Sequence, residues 1–259
     1  MNFAKHLAGA LLGLGLAVSA QAAVVTVTPD NLNGWTPANL RGTGTVEITA
    51  TYPANGNGSL QFSSNGPGDK ADFANSWGVV QGRTLGNISA LSYDYLRDPA
   101  TAGVEPWLVP ALRLQYLTTD LKSGYLIFEP VYNGTRTAPT GSFVANDVLR
   151  ANFWMRAFGP GRTIEQYDVT LARWASGATF GTSQQLSADT NIIGIEVGVG
   201  SGWAGQFRGA VDNVSFGFGA TDSVTYNFET RAVAVPEPAS ALLLASGMLA
   251  LVTTRRRRA

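Results

Sequence analysis

Apolar and polar side chains alternate along most of this chain with a period of two, the repeat of a β-strand that buries one face. The alternation is clearest in residues 45–52, 91–95, 112–116, 167–174 and 224–228. We expect each of these stretches to form a strand. Convincing amphipathic-helix patterns are missing between them, so the pattern predicts an all-β domain.

Residues 192–199 (IIGIEVGV) are almost continuously apolar, which predicts a central strand covered on both faces. Clusters of Gly, Asn and Pro at 55–58, 65–68 and 159–161 interrupt the strand pattern, as turn residues do. Many short strands separated by such turns are typical of sandwiches and jelly rolls. The prediction is one jelly-roll-type β-sandwich over residues 24–228.

Residues 1–23 have the three parts of a secretory signal peptide. Lys5 supplies the positive charge, residues 7–18 form the apolar stretch, and Ala20 and Ala22 complete a small-x-small cleavage site. We therefore expect the chain to be exported through the inner membrane.

The C-terminal segment, residues 236–259, is predicted to be a membrane helix with a basic end, joined to the domain by a spacer at 229–235. An apolar stretch of 16 residues, 239–254, is marginal for a membrane span. The arginines after it favour the cytoplasm and predict a stop-transfer signal. The sorting motif before the stretch consists of Val235, Pro236, Glu237 and Pro238. The basic residues after it are Arg255, Arg256, Arg257 and Arg258.

This order of Pro-Glu-Pro, short apolar helix and basic end resembles the PEP-CTERM sorting signal. The resemblance implies recognition by an exosortase at the membrane, cleavage near the motif, and a final location at the cell surface or outside the cell. Proteins with this signal typically accompany exopolysaccharide production. Pro236 and Pro238 also fix two φ angles, which keeps the motif extended and accessible.

The domain itself resembles jelly-roll sandwiches of the laminin or carbohydrate-binding type. The resemblance is carried by residues 58–62 (GSLQF), 126–130 (LIFEP), 200–203 (GSGW) and 211–214 (VDNV). It implies a fold and leaves the ligand open.

The composition excludes several classes of function. The chain has no cysteine, and its one histidine, His6, lies in the predicted signal peptide. Disulfides, thiolate zinc sites and Ser-His-Asp catalysis are therefore excluded from the mature domain. Residues 23–234 hold 13 Lys and Arg against 17 Asp and Glu, which argues against nucleic-acid binding.

Carboxylates are the remaining candidates for catalysis, since a pair of them can hydrolyse a glycosidic bond without histidine. The candidates are Glu105, Glu129, Glu165 and Glu196. Glu196 lies in an apolar strand, where an ion pair with Arg208 would neutralise it. The sequence shows no spacing that selects a second carboxylate, so we expect no enzyme and keep a glycoside hydrolase as an alternative.

Two further motifs have a structural interpretation beside the functional one. Residues 200–205 match G-x-G-x-x-G but precede another predicted strand, which favours a loop over a dinucleotide site. Asp212 and Asn213 offer oxygen ligands for a structural Ca²⁺, although Asp and Asn also occupy ordinary turns. No other cofactor is expected.

Tryptophans provide the candidate ligand-binding surface, because aromatic rings can stack on the C–H faces of sugars. Trp107 follows a proline in a loop and Trp203 lies in a Gly-rich turn, so we expect both to be exposed. Trp154 and Trp174 lie in strand patterns and are predicted to be core residues. The sequence thus predicts an exported, non-catalytic surface or matrix protein, with a carbohydrate-binding module that engages exopolysaccharide as an alternative.

Overall fold

The computed structural model describes residues 22–159, 166–181 and 184–232. The predicted signal peptide up to residue 21, the sorting motif at 235–238 and the arginines at 255–258 lie outside these ranges. Within them the chain forms fourteen strands and one short α-helix. The elements are β1 (Ala23–Val27), β2 (Trp35–Arg41), β3 (Thr45–Thr49), β4 (Ser59–Ser64), β5 (Lys70–Ser76), β6 (Ile88–Arg97), β7 (Ala111–Leu117), β8 (Ser123–Phe128), β9 (Val144–Asp147), β10 (Asn152–Ala157), β11 (Val169–Thr170), α1 (Leu171–Ala175), β12 (Asn191–Gly200), β13 (Phe207–Phe218) and β14 (Asp222–Phe228).

The strands of the described ranges form two seven-stranded sheets. One sheet has the order β11-β10-β8-β7-β12-β5-β2. We call it the cleft sheet, after the cleft on its outer face, and we call the other sheet the back sheet. In the back sheet, the long strand β13 pairs with β6 along one edge and with β4 and then β14 along the other, while β9, β3 and β1 complete the sheet. Neighbouring strands are antiparallel except β1 and β14, which run parallel.

Aromatic side chains fill the space between the two sheets. Trp35 of the cleft sheet is fully buried, stacks on Phe73 at 5.7 Å between ring centroids, and meets Phe228 of the back sheet edge-on at 5.3 Å. Burying such rings removes large apolar areas from water and dominates the energetics of a core. The prediction of an all-β sandwich is confirmed.

The predicted strand at 167–174 is wrong over most of its length. Only Val169–Thr170 is extended, and Leu171–Ala175 forms α1. The Thr170 hydroxyl accepts a hydrogen bond from the Arg173 backbone N–H, which is an N-cap. Leu171 and Trp174 are the buried residues of the helix, and their spacing of three fits a helical face.

The prediction that β12 is a central strand covered on both faces is confirmed. β12 lies between β7 and β5 in the middle of the cleft sheet, and its residues 194–199 are all buried. Ile195, Val197 and Val199 belong to the core. The opposite face carries Glu196 and three glycines, and side chains of the neighbouring strands cover it.

The end of the described chain is held against the loop between β3 and β4. Glu229 is fully buried and accepts a hydrogen bond from the Asn57 backbone N–H. The Asn57 side-chain oxygen accepts from the Thr230 N–H at 2.8 Å, and its amide donates to the Arg231 carbonyl at 3.2 Å. The first residues assigned to the spacer at 229–235 are therefore part of the packed domain. Among the described residues, no helix is long and apolar enough to cross a membrane.

Candidate ligand-binding cleft

An open cleft of about 270 Å³ lies on the outer face of the cleft sheet. This volume is near the lower end of the range for small-molecule sites. Its lining combines four cationic side chains, one carboxylate and four aromatic side chains with small polar groups. The lining residues are Asn39, Arg41, Lys70, Arg113, Tyr125, Ile127, Glu129, Trp154, Arg156, Phe158, Gly200, Ser201 and Trp203.

Strand register explains why these side chains meet. Trp154 of β10 is paired with Ile127 of β8, Ile127 with Arg113 of β7, and Arg113 with Glu196 of β12. Paired residues on neighbouring strands point to the same side of a sheet. The row therefore places an aromatic ring, a guanidinium and a carboxylate on one face.

Glycines of β12 let side chains from the neighbouring strands lie flat across it. A Cβ on Gly198 would stand 1.9 Å from the Asp72 carboxylate, and one on Gly194 would stand 2.4 Å from the Gln115 side-chain oxygen. In their absence Asp72 reaches from β5 to Arg113 on β7, and Gln115 accepts a hydrogen bond from Ser76 at 2.8 Å. These contacts join β5 and β7 across the strand that separates them.

A buried ionic cluster forms the floor beside these glycines. One Arg113 nitrogen lies 2.6 Å from Asp72 and 2.9 Å from Glu196, and Lys70 forms a second ion pair with Asp72. Asn39 donates to the Asp72 carboxylate at 2.9 Å, and the Tyr125 hydroxyl donates to Glu196 at 3.1 Å. Each buried carboxylate thus has an opposite charge and a further hydrogen-bond donor, as burial requires.

The electrostatics of this cluster follow from burial and from these pairs. Burial raises the pKa of both carboxyl groups, but Arg113 and Lys70 outweigh it at Asp72 and lower the pKa of that group. At Glu196, burial together with the neighbouring Asp72 carboxylate outweighs Arg113 and Lys70, and the pKa of Glu196 is raised. Burial lowers the pKa of Arg113, yet the two carboxylates more than reverse this and keep it charged.

An aromatic wall borders the cleft on the side of β10. Tyr125 and Phe158 meet edge-on at 5.0 Å between ring centroids. Trp154 lies 5.9 Å from Tyr167, and Tyr167 stacks on Tyr132 at 4.1 Å. The wall therefore continues beyond the cleft itself.

Glu129 is the carboxylate that lines the cleft, and it belongs to this wall. The Trp154 indole N–H donates to Glu129 at 2.8 Å, which fixes the plane of the ring. Burial raises the pKa of Glu129, and the indole hydrogen bond and Arg113 only partly offset that rise.

The structure does not bring the two tryptophans selected from the sequence into one exposed surface. Trp203 lines the cleft but is only 8% exposed, because its ring packs edge-on against Phe207 at 5.1 Å. Gly202 draws the loop inward by donating its N–H to the Pro67 carbonyl at 2.8 Å. The predicted exposure of Trp203 was wrong. Trp107 is half-buried and does not line the cleft.

Trp154 and Trp174, which were both predicted to be core residues, differ in their location. Trp174 is a core residue, as predicted, and is 1% exposed. Trp154 is half-buried and lines the cleft, so its assignment to the core was wrong.

Asp212 and Asn213 lie at the point along β13 where its paired strand on one edge changes from β4 to β14. β13 pairs with β4 as far as Val211 and with β14 from Val214 onward. At this fork, Asp212 accepts a hydrogen bond from the Phe228 backbone N–H at 2.8 Å, and the Asn213 amide donates to Asp94 at 2.7 Å. The described residues contain no group of three or more acidic side chains placed as metal ligands. The hydrogen bonds to Phe228 and Asp94 give both residues structural roles at the fork.

The candidate carboxylates of the described residues occupy three different environments. Glu129 lines the cleft, Glu196 lies beneath its floor, and Glu105 is exposed elsewhere. Glu165 lies outside the described residues. The expected partner of Glu196 was wrong, because Arg113 forms that ion pair while Arg208 donates to backbone carbonyls.

The Gly-rich motif at 200–205 connects β12 directly to β13. The loop interpretation is therefore confirmed. A helix that would present its N-terminus to a pyrophosphate is not formed there.

Sequence reasoning missed the polar residues of the cleft, although a signal was present. Residues 194, 196, 198 and 200 read Gly, Glu, Gly and Gly at every second position of a strand. A strand face of glycines around one carboxylate buries no apolar area, so it indicates a place that other side chains or a ligand occupy.

No protein-family model matches the chain, and no curated protein matches it. Solved structures with a similar fold include a carbohydrate-binding module of the β-sandwich superfamily, at 14% identity and a TM-score of 0.37, covering 72% of this chain and 58% of that one. The family 11 carbohydrate-binding module of a Clostridium thermocellum cellulase is 10% identical with a TM-score of 0.38, covering 80% and 95%. An endoglucanase from Rhodothermus marinus is 13% identical with a TM-score of 0.31, covering 73% and 99%. At scores and identities this low, neither ligand nor activity is transferred from these proteins.

Proposed function

We propose that this chain is an exported, non-catalytic, jelly-roll-type protein whose cleft binds a glycan at the cell surface or in the extracellular matrix. The observation that carries the proposal is the cleft itself. Trp154 and Tyr125 stand as a wall beside a floor of fixed hydrogen-bonding groups. Sugars need this combination, because they present apolar C–H faces and a rim of hydroxyl groups.

Rigidity of the cleft supports binding. Asp72, Arg113 and Glu196 hold one another in place, and the Trp154 ring is fixed by Glu129. Side chains that are already ordered lose little conformational entropy when a ligand arrives. A polar ligand can then be held by hydrogen bonds that would otherwise be offset by ordering costs.

The arrangement of carboxylates favours binding over hydrolysis. A glycosidase mechanism needs two carboxyl groups that both face the bond to be broken. Glu196 is 1% exposed and paired with Arg113. Among the described residues that leaves Glu129 as the carboxylate on the cleft surface. We expect no release of reducing sugar from any glycan that the protein binds.

The sorting route is the part of the proposal that rests on sequence alone. The signal peptide, the Pro-Glu-Pro motif and the arginines at 255–258 support export, exosortase recognition and tail processing. Intact-mass measurement of the extracellular protein tests this. Loss of the residues after the motif supports it, and a mature form that still ends in Arg258-Ala259 contradicts it.

Substitution of Trp154 tests the glycan site. Trp154→Ala should weaken binding by at least about tenfold, as expected for an aromatic anchor. Trp107→Ala is the matched control, because Trp107 is also half-buried but lies outside the cleft. Titration calorimetry with glycans chosen from an array measures both variants, and thermal unfolding confirms that they remain folded. Equal affinities of Trp154→Ala and the unchanged protein would contradict the assignment of the cleft.

A further inference from the structure

Fixed charges on the floor of the cleft neutralise one another. Asp72 and Glu196 are matched by Lys70 and Arg113 at ion-pair distances. A ligand therefore meets no uncompensated charge from these four groups. The net field in the cleft is set by the charged groups on its sides, which are Arg41, Arg156 and the single carboxylate Glu129.

Two arginines on the sides of the cleft have no acidic partner within residues 22–159, 166–181 and 184–232. Arg41 and Arg156 are both exposed and both line the cleft. Arg41 donates to the Ser201 hydroxyl at 3.3 Å, and neither guanidinium lies within ion-pair distance of a carboxylate of the described residues. Guanidinium groups match carboxylates and sulfates through two parallel hydrogen bonds.

The two arginines stand at opposite ends of the cleft. Arg41 belongs to β2 and Arg156 to β10, with β8, β7, β12 and β5 between them. Five strand spacings of about 4.8 Å separate these strands, so the arginines are up to about 24 Å apart across the sheet. A chain with repeated anionic groups can therefore place one group at each end of the cleft.

We propose that the glycan bound in this cleft is an anionic polysaccharide, held at its acidic groups by Arg41 and Arg156 while Trp154 stacks on a sugar ring. This inference rests on the proposed glycan-binding function. The acidic groups are uronate carboxylates or sulfate esters, which share the chemistry that a guanidinium recognises.

The domain as a whole is acidic, so a preference for anionic ligands would have to arise locally, in the cleft. Residues 23–234 carry more acidic than basic residues. A polyanion is therefore repelled by the domain as a whole, and only a local feature can reverse the preference. The unpaired arginines of the cleft are such a feature.

The test compares matched polymers on the intact purified chain. Polygalacturonate, alginate and hyaluronan are each titrated beside a carboxyl-reduced derivative, in which every uronate has become a neutral hexose. Dextran sulfate is titrated beside dextran to represent sulfate esters. We expect at least one acidic polymer to bind about tenfold more tightly than its neutral partner, with the preference falling as salt rises.

Variants locate the effect. Arg41→Gln and Arg156→Gln should each reduce the preference for the acidic polymer severalfold and leave affinity for the neutral partner unchanged. Arg150→Gln, at an exposed arginine outside the cleft, should leave both affinities unchanged. Trp154→Ala should reduce binding of acidic and neutral polymers alike.

The outcomes separate the inference from the proposed function. Equal binding within every pair, or preference for the neutral polymer, overturns the anionic ligand while glycan binding stands. Loss of preference in Arg150→Gln as large as in Arg156→Gln would also overturn it. Absence of binding to every polymer, acidic or neutral, contradicts both proposals.

Discussion

Asp72 in the cleft sheet and Asp212 in the back sheet are both fully buried aspartates, and they differ in what surrounds them. Asp72 lies between Arg113 and Lys70, and these cations lower its pKa despite burial. Asp212 faces no cation in the described chain, and burial, with Glu229 and Asp94 nearby, raises its pKa to about 7. One carboxylate is kept charged and the other is kept protonated below neutral pH.

The difference shows that burial alone does not set the state of a carboxyl group. Burial raises both pKa values, and the balance of neighbouring charge decides the outcome. At the cleft the balance keeps polar groups fixed for a ligand. At the fork of β13, one Asp212 oxygen accepts the Phe228 N–H, and the other has no hydrogen-bond partner in the described structure.

Removing the central cation should have the largest effect. Arg113→Met leaves Asp72 and Glu196 buried with only Lys70 to offset them, which should lower the free energy of unfolding by about 3–5 kcal/mol. Urea unfolding measures this, with Arg150→Met as the exposed control. A loss no larger than that of the control would show that the cluster is not electrostatically coupled as described.

The Asp212 carboxyl should make stability depend on pH in the opposite sense from Asp72. The folded protein keeps this proton up to about pH 7, while the unfolded chain releases it near 3.8. The free energy of unfolding therefore falls as pH rises between these values, by at most about 1.4 kcal/mol per pH unit. Asp72, with its lowered pKa, contributes stability above its unfolded pKa that is lost as the pH falls through its folded pKa.

Asp212→Asn isolates this contribution, because it keeps the oxygen that accepts the Phe228 N–H and removes the titration. Relative to the unchanged protein, the variant should gain stability between pH 5 and pH 8. Urea unfolding at both pH values tests it, with the exposed Asp30→Asn as control. A difference between variant and unchanged protein that is the same at both pH values would refute the shifted pKa.

A smaller effect is expected at the glycine floor. A Cβ at Gly198 would displace the Asp72 carboxylate, so Gly198→Ala should cost about 1–3 kcal/mol of stability, as overpacking does. It should also weaken glycan binding by loosening Arg113. Gly68→Ala is the control, since a Cβ there meets no atom within 4 Å. Equal stability of the two variants would mean that Asp72 can move without cost.

The sandwich was predictable because one-sided burial leaves a period-two pattern in each strand. The pattern failed at 167–174, where the buried Leu171 and Trp174 are three residues apart. This spacing places them on one face of a helical turn but on opposite faces of a strand. At β12 the pattern located the strand and its burial correctly. It did not identify what covers the outer face, because glycine counts as apolar although it has no side chain to bury.

The site was less predictable, since it is made from long-range pairs. Asp72, Arg113 and Glu196 are far apart in sequence, and only the register of β5, β7 and β12 brings them together. Trp203 and Trp154 were misjudged for the same reason. The exposure of each ring depends on a neighbour, Phe207 in one case and Glu129 in the other, that local sequence does not identify.

The parallel pairing of β1 with β14 determines how the domain responds to tension. Ala23 is paired with Val224 and Val27 with Phe228, so residues 22 and 229 lie at opposite ends of the ladder, about 20 Å apart along the strands. A pulling force applied between residues 22 and 229 shears the two strands past each other. It therefore loads all the hydrogen bonds between β1 and β14 at the same time. The domain should therefore resist being pulled open far better than a hairpin that is peeled from one end.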